Sequence, residues 1–130
     1  MSEERFVVDA SAVLAVLLEE PDAEHLEPYL ADALIGAVNL SEVVAKLQER
    51  GMPDEAIDRA LGYLSLEIVP FDEAQAMAAG KLRGKTRSRG LSLGDRACLA
   101  LAMARGAAAV TTDREWDGLD IGVEVLAARD

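Results

Sequence analysis

Short β-branched or apolar runs alternate along this chain with longer alanine- and leucine-rich stretches, and no other feature narrows its fold so far. Such alternation is the pattern of β/α units wound around a parallel sheet. Strands are expected over residues 6–8, 34–38, 67–69, 108–111 and 123–126, and helices over 11–19, 22–31, 40–49, 53–64, 72–81 and 93–104. Local chemistry supports the helices. Pro53 and Glu55 suit a first turn, Gly51 and Gly106 suit C-terminal stops, and Pro21 separates the first helix from the second. No repeat, low-complexity tract or dividing linker interrupts the pattern, so residues 1–130 are expected to form one α/β domain. A chain of this length buries roughly two-thirds of its unfolded surface and needs no disulfide or structural metal. The lone Cys98 could supply neither a bridge nor a zinc site of cysteine type, and a reducing compartment fits it best.

Charge restricts the partners. The chain carries a formal charge of -11, which repels nucleic acid except at a local basic patch or through bound cations. One such patch exists. Lys81, Arg83, Lys85, Arg87, Arg89 and Arg96 give residues 81–96 a charge of +5 and leave -16 on the remainder. Read as a loop joining two helices, this stretch is either simply solvated or able to follow a nucleic-acid backbone with its alternating bases. The longest apolar runs fall well short of the ~20 residues that cross a bilayer. The charged start MSEERF leads directly into a strand, so a cytoplasmic protein without a membrane partner is expected.

Four carboxylates stand out by position. Asp9 closes the first strand in FVVDAS and Asp113 follows the fourth in AAVTTD, at the sheet edge where open α/β folds bind ligands. Glu42 and Asp95 fall three residues after Asn39 and Ser92, so each can be read as the acid of a capping box, and Asp9 as a cap. Taken together they say more, because helix starts share an edge with the strand ends that precede them. At ~4 Å and an effective dielectric near 20, each like-charged pair costs about 4 kcal/mol, beyond what the ~0.3–1 kcal/mol of a helix dipole offsets. Either the acids bind protons or a multivalent cation gathers them. Their hard oxygens, with the only histidine, His25, placed elsewhere, favour Mg²⁺, with Mn²⁺ able to substitute, over zinc. Carboxylate-held Mg²⁺ suits phosphodiester hydrolysis.

VVDASAVLAVLLEEP, NLSEVVAKL, LSLGDRACLALA and AVTTDREW, in this order, resemble the PIN-domain family, specifically the VapC-type toxins of toxin-antitoxin pairs. The resemblance covers nearly the whole chain. It implies a three-layer α/β/α sandwich with a central parallel five-stranded sheet, and a Mg²⁺-dependent endoribonuclease whose acidic residues would be Asp9, Glu42, Asp95 and Asp113. Ser11, Asn39 and Thr112 would help orient ligands, and Asp117, ahead of Glu115, would be a further acid. The family also implies a homodimer and an antitoxin whose C-terminal segment lies across the toxin. Two other functions fit less of the pattern: a PIN-like nuclease of RNA processing or DNA metabolism without an antitoxin, and a catalytically silent PIN scaffold.

Other signals are set aside. GKLRGKT is one residue short of a P-loop and follows a helix, and VVDAS lacks the second aspartate of a phosphoaspartyl motif. Cys98 reads as a core residue, His25 as a surface or dimer-contact residue, and Trp116 as an anchor for the loop after Asp113.

Overall fold

A computed structural model describes residues 5–127. Residues 1–4, part of the MSEERF start that entered the expectation about compartment, and residues 128–130 of the expected domain lie outside it. The strands are β1 (Phe6–Val8), β2 (Leu34–Gly36), β3 (Glu67–Val69), β4 (Ala108–Thr111) and β5 (Val125–Ala127). They form one sheet in the order β3-β2-β1-β4-β5, with every neighbouring pair parallel.

Alternation along β1 builds the layers. Val7 and Val8 are both fully buried but face opposite sides of the sheet. Val8 packs with residues of α1 (Ala10–Leu17), α2 (Ala23–Leu30), α3 (Ala37–Glu49) and α4 (Asp54–Leu64). Val7 packs with α5 (Glu73–Thr86) and α6 (Leu93–Arg105), and with Trp116. The result is the three-layer α/β/α sandwich, with four helices on one face and two on the other. No helix among the described residues is long and apolar enough to cross a membrane.

Several boundaries differ from the sequence reading, and those that bear on the site have local reasons. The second strand ends at Gly36, where its pairing with β3 stops, and Gly36 then serves as N-cap of a helix that begins at Ala37 instead of residue 40. Asn39 therefore lies inside α3 and is not a cap. Pro53 precedes α4 as its N-cap instead of opening the first turn. The fifth strand is shifted to Val125–Ala127, the residues in register with Ala109–Thr111.

The largest difference is α5, which continues to Thr86 and carries the basic stretch on a helix instead of a loop. Gly80 and Gly84 suggest a break, but Ala79, Leu82 and Thr86 are all buried, so the apolar face continues at helical spacing through both glycines. On a helix the alternate positions 81, 83 and 85 no longer form one line. Lys81 and Lys85 share a face, as do Arg83 and Arg87 at the helix end.

Candidate active site

The strand order reverses direction between β1 and β4, the crevice where parallel sheets bind ligands. Asp9 follows β1 on one side of it and Asp113 follows β4 on the other. Val8 opposite Val110 fixes their register, and the Asp9 amide extends the ladder by donating to the Val110 carbonyl at 3.1 Å. The Asp9 carboxylate turns into α1 as its cap, accepting from the Ala12 amide at 2.9 Å. It also accepts from Ser11 Oγ at 2.7 Å and Thr111 Oγ1 at 2.6 Å.

Asp9 is 3% exposed. Burial pushes its pKa from 3.8 up to about 6, with the Asp95 charge adding to the rise and the hydrogen bonds from Thr111, Ala12 and Ser11 opposing it. Below it lies Cys98, fully buried, whose thiol is raised by desolvation and by the charges of Asp9, Asp95 and Glu42. This cysteine is inert core, as expected.

The two helical acids arrive by different means. Asp95 forms the capping box of α6: Ser92 Oγ accepts from its amide at 3.1 Å, and its Oδ2 accepts from the Ser92 amide at 2.9 Å. The matching box expected for Glu42 is absent, because α3 starts at Ala37. Glu42 is instead held from within the helix, its Oε1 accepting from Asn39 Nδ2 at 2.9 Å. The same amide group reaches the Gly94 carbonyl at 3.1 Å and so ties α3 to α6. Asp113 Oδ1 accepts from the Glu115 amide at 2.8 Å, and the Asp113 amide donates to Thr111 Oγ1 at 3.0 Å.

All four carboxylates line one cleft of about 260 Å³, with Ala10, Ser11, Leu14, Asn39 and Lys46. Their oxygens are the donors a hard divalent cation takes. As placed, no three His, Cys, Asp or Glu side chains among the described residues close around a single point. Mg²⁺ keeps several waters and is bound through one or two carboxylates, so the residues fit a hydrated cation spanning the cleft better than a tight cage.

The remaining candidates divide. Ser11 and Asn39 touch the acids directly, while Thr112 meets Ser11 through its backbone amide at 3.0 Å. Thr111, one residue earlier, places its hydroxyl directly on Asp9. Asp117 is exposed and lies outside the cleft lining; its carbonyl accepts from Arg89 Nη1 at 2.6 Å. Arg89 also donates to the Glu115 carbonyl at 2.8 Å, and Arg96 Nη1 to the Ala79 carbonyl at 2.9 Å. Both arginines thus make structural bonds, and Lys81, Arg83, Lys85 and Arg87 are exposed. Trp116, fully buried, anchors the loop as expected.

Three residues escaped the sequence reading. Thr111 reads as an ordinary strand residue and Gly94 as an undistinguished helical glycine. Lys46 did carry a signal, standing four residues after Glu42 on the same helical face.

The PIN domain family model matches residues 6–122. A ribonuclease VapC of Mycolicibacterium smegmatis is 37% identical, over 76% of this chain and 82% of the relative. Among solved structures, a toxin-antitoxin complex from Klebsiella pneumoniae superposes with a TM-score of 0.70 at 18% identity, covering 91% of this chain and 98% of that one. DNA-bound VapBC from Salmonella typhimurium does so with a TM-score of 0.70 at 21% identity, covering 95% and 97%. With that sheet order, that acid-lined cleft and a match running from the first strand to the last loop, the chain belongs to the PIN domain family, in its VapC-type group.

Proposed function

We propose that this chain is a Mg²⁺-dependent endoribonuclease, the toxin of a type II toxin-antitoxin pair, hydrolysing RNA phosphodiester bonds at Asp9, Glu42, Asp95 and Asp113. The observation that carries the reading is that these four acids, from two strand ends and two helices, line a single cleft at the switch point of the sheet. The identity to a ribonuclease VapC supports both the reaction and the toxin role.

A bound Mg²⁺ or Mn²⁺ would activate water and neutralise charge on the phosphate. The chain's own residues supply position. Thr111 and Ser11 fix the rotamer of Asp9, the Ser92 amide holds Asp95, the Glu115 amide holds Asp113, and Asn39 holds Glu42. The partners in this reading are RNA and a cognate antitoxin, and its site of action is the cytoplasm. A homodimer would cover some of the large apolar side chains left exposed, among them Ile68, Met77, Leu93 and Met103.

The purified protein is expected to cleave RNA with Mg²⁺ or Mn²⁺ and to lose all cleavage in excess EDTA, with Asp95→Asn equally inactive. Cleavage that persists undiminished in EDTA or in Asp95→Asn overturns the proposal.

The basic end of α5 gives a second expectation. Lys81 and Lys85 share an exposed face near the connection into α6, and in this reading they contact phosphates flanking the scissile bond. Each phosphate contact to single-stranded RNA contributes ~0.7 to the slope of log affinity against log salt. Replacing both lysines with alanine is therefore expected to flatten that slope by about 1.4, measured on metal-free protein by fluorescence anisotropy. An unchanged slope places the RNA backbone elsewhere.

A further inference from the structure

Glu42 presses against a position where no side chain fits. A Cβ built on Gly94 would lie 2.6 Å from Glu42 Cδ and closer still to both carboxylate oxygens. These three are the nearest atoms to that point, so it is Glu42, and not the backbone of a neighbouring element, that fills the space a side chain would take. Gly94 is buried in the first turn of α6, and its φ lies in the range open to any residue. Conformational freedom therefore does not require a glycine here. A glycine in a helix is less favourable than alanine by about 1 kcal/mol, and that penalty has no local return.

The surroundings show what is gained. Asn39 Nδ2 bonds both Glu42 Oε1 and the Gly94 carbonyl, so one amide group draws the carboxylate and the Gly94 backbone together across the α3–α6 contact. Asp95 is the next residue along α6, so Glu42 is seated beside the turn that carries another carboxylate of the cleft. We infer that Gly94 is a positioning residue: the absence of a side chain at this point lets the Glu42 carboxylate lie against α6, and any larger residue drives it out of the cleft. The inference rests on the proposed role of Glu42 in the site, but the geometry is independent of the reaction.

Gly94→Ala is the test, made in the wild-type chain and in Glu42→Ala. In the wild-type background it is expected to lower RNA cleavage by about 10- to 100-fold, the range seen when the support of a metal-site ligand is lost. In Glu42→Ala it is expected to leave the residual rate unchanged. Thermal midpoints, which require neither metal nor RNA, give the second readout. With the carboxylate removed, the three atoms nearest the added methyl are gone, and the helix gains its ordinary preference for alanine, raising the midpoint by about 4 °C. With Glu42 present, the same substitution gives no such gain. Shortening the acid gives a third: Gly94→Ala with Glu42→Asp is expected to recover part of the lost cleavage. Equal midpoint shifts in both backgrounds overturn the positioning role whether or not the protein cleaves RNA. Unequal shifts with no cleavage by any variant would uphold the contact and reject the nuclease reading alone.

Discussion

Asp9→Asn is expected to abolish RNA cleavage while making the protein more stable at neutral pH. The loss follows from the position of Asp9 in the cleft. A carboxylate that neutralises and orients a bound cation supports several kcal/mol of transition-state stabilisation, on the order of 10³-fold in rate. The gain follows from burial. With its pKa raised from 3.8 to about 6, the folded chain binds the Asp9 proton more tightly than the unfolded chain does. Stability from this group is thus complete below pH ~4 and is lost as pH rises through about 6, a change of ~3 kcal/mol. Asparagine has no charge to bury, keeps the Ala12 bond through its Oδ1 and turns its Nδ2 as a donor to Thr111 Oγ1, so the variant escapes the loss. Metal-free denaturation curves should show Asp9→Asn more stable by about 2–3 kcal/mol at pH 7.5, with the difference closing as pH falls towards 4. A variant less stable than the wild type at pH 7.5 would mean that the hydrogen bonds to the carboxylate outweigh its desolvation.

The second large effect is structural. Trp116→Ala is expected to destabilise the chain by about 3–5 kcal/mol, the usual cost of deleting a buried large aromatic, and to lower the thermal midpoint by roughly 10–20 °C. Trp116 is the largest fully buried side chain and closes the core between the sheet and α5–α6. It stands three residues after Asp113, in the turn where Glu115 bonds Asp113 and Arg89 holds the Glu115 and Asp117 carbonyls. Cleavage should therefore fall even at temperatures where the variant remains folded. A loss of under 1 kcal/mol in urea titration would show that the Arg89 bonds alone suffice to anchor the turn.

The parts of the molecule that could be read from sequence are those governed by local rules. Strand ends carrying Asp9 and Asp113, the Ser92–Asp95 capping box and the left-handed stop at Gly106 follow from a few adjacent residues, and the structure places them as expected. Glu42 lines the cleft, but it is held by a different device from the capping box that its spacing suggests. Gly36, not Asn39, caps α3, and Asn39 instead reaches the Gly94 carbonyl, a tie between two helices distant in sequence that leaves no local trace. The end of α5 was hidden for a related reason. Gly80 and Gly84 weaken its helical signal, whereas the burial of Leu82 and Thr86 that sustains it is tertiary. Thr111 shows the same limit: its hydroxyl serves Asp9, far away along the chain, and nothing beside it distinguishes it from other strand threonines.

The pairing of β1 with β4 sets a condition on when the cleft can exist. Asp9 leaves the ribosome 104 residues before Asp113, yet the strands that seat them are hydrogen-bonded neighbours. A nascent chain growing at roughly 5–20 residues per second therefore carries three of the four proposed acids before the strand that brings Asp113 beside Asp9. In the proposed reading, a growing chain therefore holds no complete acidic cleft until β4 has left the ribosome and paired with β1.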